Sequence, residues 1–230
     1  MNTLGKKAAS PRRPEPGTPP PVVADAVPSV RRDDILRAAR QLFYARGFEA
    51  SSMRDLAERI GFTQAALYYH FKNKDSILFE LIDSFTDKVR VTIEAELNAP
   101  ADPLEGLMGA IRAQILLSRD HTQDMKLIFE DKKLLGGSYA DRVHAKETAI
   151  YRLYKDRVDQ LVAAGVLRPM SRTLLTFTLL APVNFIYDWF DANGPLSLED
   201  VAEQTLQILM SGCVQAGVTQ PGSRSRRRLA

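Results

Sequence analysis

Between Ser52 and Lys74 the chain reads Ser-Met-Arg-Asp-Leu-Ala-Glu-Arg-Ile-Gly-Phe-Thr-Gln-Ala-Ala-Leu-Tyr-Tyr-His-Phe-Lys-Asn-Lys, a run rich in side chains that can read or hold a polyanion. The amide of Gln64 can pair with both polar atoms of an adenine edge, and Ala65, Ala66 or an aromatic ring can lie against a thymine methyl. Tyr68, Tyr69, His70, Lys72 and Lys74 follow, and the hydroxyls of Ser51, Ser52 and Thr63 stand ahead of two short helical segments. Groups of those kinds hold phosphate oxygens, which set position without reading bases. The chemistry on offer is therefore contact with double-stranded DNA, with an A·T-containing half-site favoured by the residue types.

Each of these residues also has a plainer reading. An aromatic run such as Tyr68-Tyr69-His70-Phe71 is ordinarily core, but successive helical residues point about 100° apart, so the four cannot share one face, and Phe71 is the expected buried member. His70 could be a surface histidine. Lys74 and Asp75 could be the polar start of the next helix, although a lysine there opposes the helix dipole and so favours a phosphate partner.

The elements that must position these groups are helices. Apolar residues recur at three and four positions almost throughout, and no sustained alternation marks a strand, so the expected fold class is all-α. A first helix spans about 33–46, with Ile35, Ala39, Leu42 and Phe43 on one face and Gly47 as its stop. A second covers 53–60, capped by Ser51 or Ser52, and a third covers 64–71, capped by Thr63. Met53, Leu56, Ala57 and Ile60 form one apolar face, Gly61 permits a sharp turn, and Phe62 with Leu67 closes the small core of a helix-turn-helix. A fourth helix runs from Lys74 to about Leu97, where Pro100 and Pro103 stop it. Beyond lie expected helices at 103–119, 122–135, 139–164, 171–191 and 198–214, separated by glycine, proline and asparagine.

The expected organisation is a disordered Pro-rich tail at 1–29, a helix-turn-helix domain at 30–77, a larger helical domain at 78–217 and a basic disordered tail at 218–230. Charge follows the same division. Residues 31–77 hold nine basic against six acidic side chains, residues 78–217 hold fourteen against twenty, and the tails hold eight against two. Surplus Lys and Arg near the N-terminus favour a nucleic-acid partner, because they can release its counterions.

Several function classes are disfavoured. No run approaches the roughly 18 apolar residues of a membrane span, and the N-terminus lacks the apolar core of a signal peptide, so a cytoplasmic, nucleoid-associated location without membrane contact is expected. The one cysteine, Cys213, excludes an internal disulfide and a thiolate metal cluster. No metal site and no cofactor is expected. The histidines are dispersed, and no His-Glu-x-x-His, phosphate-binding glycine loop or nucleophile elbow occurs, which argues against an enzyme.

At the residues just described the sequence resembles the tetracycline-repressor family of bacterial regulators. The resemblance is carried by Phe43-Tyr-Ala-Arg-Gly-Phe48, Leu56-Ala57, Gly61, Leu67-Tyr68, Phe71, Lys74 and Ile77, and covers about Arg32 to Phe85, roughly a quarter of the chain. It implies that Gln64, Ala65 and Ala66 approach bases while Tyr68, His70 and Lys74 hold phosphates. It further implies a homodimer formed by the last two helices, a small-molecule effector bound in the larger domain, and repression of a palindromic operator relieved by that effector.

Apolar residues such as Leu174, Leu175, Phe177, Leu179, Phe185, Ile186, Trp189, Ile208 and Leu209 are compatible with such an interface, and an ordinary intrachain core accounts for part of them. The expected effector pocket is lined by Met108, Ile111, Ile115, Phe129, Tyr151, Tyr154, Phe177 and Phe185. Arg142, Lys146, Arg152, Lys155 and Arg157 along one helix, with Glu130-Asp-Lys-Lys-Leu-Leu135 before it, resemble relatives that answer to fatty acyl-coenzyme A; exposed ion pairs explain the same charges. The competing reading is a helical dimerisation module without DNA binding.

Overall fold

The computed structural model describes residues 31–217, so the expectations for the two tails lie outside the described residues. The helices are α1 (Arg32–Arg46), α2 (Met53–Ile60), α3 (Gln64–His70), α4 (Lys74–Asn98), α5 (Pro103–Lys126), α6 (Gly137–Ala163), α7 (Arg172–Asn184), α8 (Ile186–Trp189) and α9 (Leu198–Cys213). No strand forms among the described residues; a lone bridge pairs Leu167 with Val214 and ties the turn after α6 to the end of α9. The fold is all-α, as the 3.6-residue periodicity requires.

The first three helices enclose a small core of Ile35, Leu42, Phe43, Phe48, Leu56, Leu67 and Phe71, each 5% exposed or less. α4 grows out of this unit without a break. Its N-terminal turns pack on α1 and the rest of its length on α5 and α6, while α5 also packs on α9. The close crossing of α4 and α5 depends on Gly106, where a Cβ would stand 2.8 Å from the Leu97 carbonyl oxygen. Arg157 of α6 donates to that same oxygen at 2.6 Å and to the Pro103 oxygen at 3.0 Å, supplying donors to the carbonyl-bearing end of α4.

Two expected helices are divided differently in the structure. The segments 103–119 and 122–135 are one helix, α5, kinked at His121 (φ −129°, ψ 19°), which then widens into a π-helical turn at Leu127–Asp131 and tightens into a 3-10 turn at Lys132–Leu134. The segment expected as one helix over 171–191 is broken at Phe185 into α7 and α8. Pro182 removes a backbone donor from this helix, and helical geometry lapses three residues later.

Candidate nucleic-acid interface and effector cavity

Local chemistry sets the helix-turn-helix. Ser52 caps α2 through a capping box with Asp55: the Asp55 amide donates to the Ser52 hydroxyl at 3.1 Å and the Ser52 amide to the Asp55 carboxylate at 2.8 Å. The Ser52 hydroxyl also donates to that carboxylate, and these bonds hold the Asp55 carboxyl below the usual range. Gly61 ends α2 at φ +72°, the left-handed conformation that a Cβ disfavours, and the chain turns there into α3. Thr63 caps α3 by accepting from the Ala66 amide at 3.3 Å.

Leu67 is the buried residue of α3, so the opposite face is presented to solvent. Gln64, Ala65, Tyr68 and Tyr69 are exposed there, Tyr69 at 86%, and Ala66 is half-buried. The far end of α3 is held from behind. Arg32 of α1 donates to the His70 carbonyl oxygen at 2.9 Å, ion-pairs with Glu80 of α4 and lies 4.2 Å from the Phe71 ring centroid. His70 is half-buried with its ring edge-on to Tyr69, whereas Lys72 is exposed and makes no ion pair among the described residues.

Three members of the expected phosphate set have partners within the chain. Ser51 is 4% exposed and its hydroxyl donates to the Gly47 oxygen at 2.7 Å, so it is part of the turn between α1 and α2. The hydroxyl proton of Ser52 is committed to Asp55. Lys74 does not extend outward: its ammonium donates to the carbonyl oxygens of Phe48 and Ser51, both at 2.7 Å, and Glu49 at 3.4 Å, and sits 4.2 Å from the Phe48 ring centroid. The lysine that opposes the α4 dipole is offset by these carbonyls and the ring face, without an external anion. Thr63, Gln64, Ala65, Tyr68, Tyr69 and Lys72 remain accessible on one side of the domain.

In the larger domain a cavity of about 240 Å³ opens between α4, α5, α6 and α7. Of the expected pocket residues, Phe129, Tyr151 and Phe177 line it. The others are placed elsewhere. Ile111, Ile115 and Tyr154 are at most 1% exposed and belong to the packed core, because their helix faces turn into the bundle. Met108 borders a separate depression with Glu96 and Arg112, and Phe185 is 59% exposed, its ring 6.5 Å from that of Phe129. Phe85, Thr86, Gln114, Met125, Glu147 and Asn184 were missed and do line the cavity. No local signal marks them, since only the packing of α4 against α5 and α6 brings them together.

The basic residues of α6 are largely spent on internal partners. Lys146 pairs with Asp83 and Asp87 at 2.7 Å, Lys155 with Asp159 at 2.6 Å, and Arg142 stacks over Phe79. Arg157 serves the α4 terminus as described. Arg142, Lys146 and Arg157 therefore tie α6 to α4 and its end, the Lys155 pair lies within α6, and Arg152 is exposed with no ion pair among the described residues.

Several side chains on the outer surface of the last helices are apolar and exposed: Leu174 at 56%, Trp189 at 56% and Ile208 at 73%. Leu175, Leu179 and Ile186 from the same segments are buried within the chain, and Leu209 is buried too.

Comparison with known proteins places this geometry. Residues 35–81 match the family described as "Bacterial regulatory proteins, tetR family", and residues 100–213 match "Tetracyclin repressor-like, C-terminal domain". The chain is 29% identical over 192 residues to the HTH-type transcriptional repressor KstR2 of Mycolicibacterium smegmatis, covering 82% of this chain and 93% of that protein. Among solved structures, the ketosteroid transcriptional regulator KstR2 of Mycobacterium tuberculosis superposes with a TM-score of 0.74 at 25% identity, covering 81% of this chain and 96% of that one. AibR in complex with isovaleryl coenzyme A and operator DNA superposes with a TM-score of 0.73 at 28% identity, covering 78% and 98%.

Proposed function

The chain belongs to the tetR family of bacterial regulatory proteins, and we propose that it is a ligand-responsive transcriptional repressor that binds a palindromic operator as a homodimer. The observation that carries this reading is the outward face of α3, where Gln64, Ala65, Tyr68 and Tyr69 are exposed while Leu67 and Phe71 anchor the helix from behind. A helix so presented enters the major groove with its N-terminal residues against base edges. Gln64, Ala65 and Ala66 approach bases; Thr63, Tyr68, His70 and Lys72 hold phosphates. Leu174, Trp189 and Ile208 on α7, α8 and α9 meet the second copy, since so much exposed apolar area is unusual on a lone surface.

The effector enters the cavity between α4 and α7 and favours a dimer geometry whose recognition helices no longer span adjacent major grooves. An acyl-coenzyme A is the effector class supported by the AibR complex. In this role the protein acts by binding and not as an enzyme, in the cytoplasm at the nucleoid. A gel shift with the DNA upstream of the chain's own coding region tests the reading: a retarded band that isovaleryl-coenzyme A or a longer acyl-coenzyme A dissolves supports it, and absence of retardation at low salt overturns it.

A further inference from the structure

We infer that the part of the effector buried in the cavity is a neutral apolar body bearing one carbonyl-type acceptor, and that Gln114 is the residue that selects it. The inference rests on the reading of this cavity as the effector site.

Four aromatic side chains, Phe85, Phe129, Tyr151 and Phe177, make the walls apolar, and the Tyr151 and Phe177 rings lie 5.2 Å apart. The polar groups among them are the Tyr151 hydroxyl and the side chains of Thr86, Gln114, Glu147 and Asn184. Two of these are already engaged. Thr86 donates its proton to the Ile82 carbonyl oxygen at 2.7 Å, and the Glu147 carboxylate is paired with Lys132.

Gln114 is held in one orientation from behind. Tyr154 is fully buried, and its hydroxyl donates to Oε1 of Gln114 at 2.7 Å. Burial drives the Tyr154 phenol far above its usual range, so the hydroxyl keeps its proton, and Gln114 is the one acceptor it has among the described residues. A buried hydroxyl left without an acceptor is costly, which forbids the flipped amide. With Oε1 committed, the Nε2 hydrogens make no hydrogen bond among the described residues. They are a donor pair fixed in an apolar wall, and a donor of that kind is satisfied by a ketone, ester or thioester oxygen. A free carboxylate would satisfy it as well, but only by giving up its hydration among apolar walls. Asn184 at the end of α7 and the Tyr151 hydroxyl on α6 have no hydrogen bond among the described residues to fix them, so each can present either donor or acceptor and discriminates less.

The experiment is calorimetric titration of the full chain, without DNA, with 1-tetralone, tetralin and tetralin-1-carboxylate, which share one ring body small enough for the cavity. The ketone is expected to bind at least about fivefold more tightly than the hydrocarbon, the gain of one unopposed hydrogen bond, with the carboxylate weakest. Gln114→Glu retains an oxygen for Tyr154 while removing the donors, and Gln114→Met keeps the length and apolar volume. In both, whatever the change in tetralin affinity, the ratio of ketone to hydrocarbon affinity is expected to fall to about one. Equal binding of ketone and hydrocarbon, or a preference that survives both substitutions, overturns the selection by Gln114 and leaves the cavity as an effector site. Failure of every probe to bind overturns both.

Discussion

The Arg40 guanidinium of α1 donates to the carboxylate of Asp124 in α5, and that carboxylate is 3% exposed. Its second oxygen meets Nδ1 of His121 at 2.8 Å, and Nε2 of His121 is 2.7 Å from the Lys88 ammonium of α4. A lysine ammonium can only donate, so in this contact Nε2 accepts, which leaves Nδ1 to face the carboxylate. Three helices from both halves of the molecule thus converge on one buried carboxylate. The adjoining residues Met125, Ile128 and Phe129 line the cavity, so one short stretch touches α1 through Asp124 and the cavity through its apolar face.

Replacing Asp124 with alanine therefore removes a joint as well as an ion pair. Arg40 is one-third exposed and is partly rescued by water, so the expected loss is about 2 kcal/mol, below the full cost of breaking a buried pair. A calorimetric melt should fall by about 4–8 °C for a chain of this size. The same variant is expected to need more effector than the unaltered chain to release half of a bound duplex.

The two lysines flanking Asn73 are expected to behave oppositely. Lys72→Ala should weaken DNA binding across sequences and lower the salt slope by about 1 per lost phosphate contact. Lys74→Ala should lower the melting temperature, because the carbonyls of Phe48 and Ser51 lose their donor, and leave the salt slope unchanged. Anisotropy titrations over a salt series separate the two.

Gly61→Ala places a Cβ on a residue at φ +72°, where the left-handed conformation costs about 1–2 kcal/mol. The space around it is open, so the loss is conformational and not steric. Urea denaturation should show a lower midpoint with an unchanged slope.

Ile208→Asp and Leu174→Asp put a carboxylate on the exposed apolar surface of α9 and α7. Each is expected to convert the dimer to monomer in light scattering while leaving the helical circular dichroism of the chain intact. A dimer of unaltered mass would remove these side chains from the interface.

The helix-turn-helix was legible in the sequence because its constraints are local. Thr63 caps the helix it precedes, Gly61 turns the chain where it stands, and Leu67 is buried by the period of its own helix. The intrachain partners of Lys74 were not legible, because Phe48 and Ser51 lie more than twenty residues back and become neighbours only once α4 docks. The cavity shows the same division. Tyr151 and Tyr154 stand three apart on α6, yet the first lines the cavity and the second is sealed behind Gln114, a choice made by how α5 packs on α6. Nor does local pattern reveal that His121 kinks a continuous helix, for the kink is stabilised by Asp124 and by Lys88 from another helix.

The most direct test of the central claim is an anisotropy titration of the full chain on a duplex from its own upstream region, between 50 and 200 mM salt, alongside a variant with Gln64, Tyr68 and Lys72 all replaced by alanine. The exposed face of α3 predicts saturable binding that weakens steeply with salt and is lost in the variant. No binding at 50 mM salt, or equal binding by the variant, would contradict it.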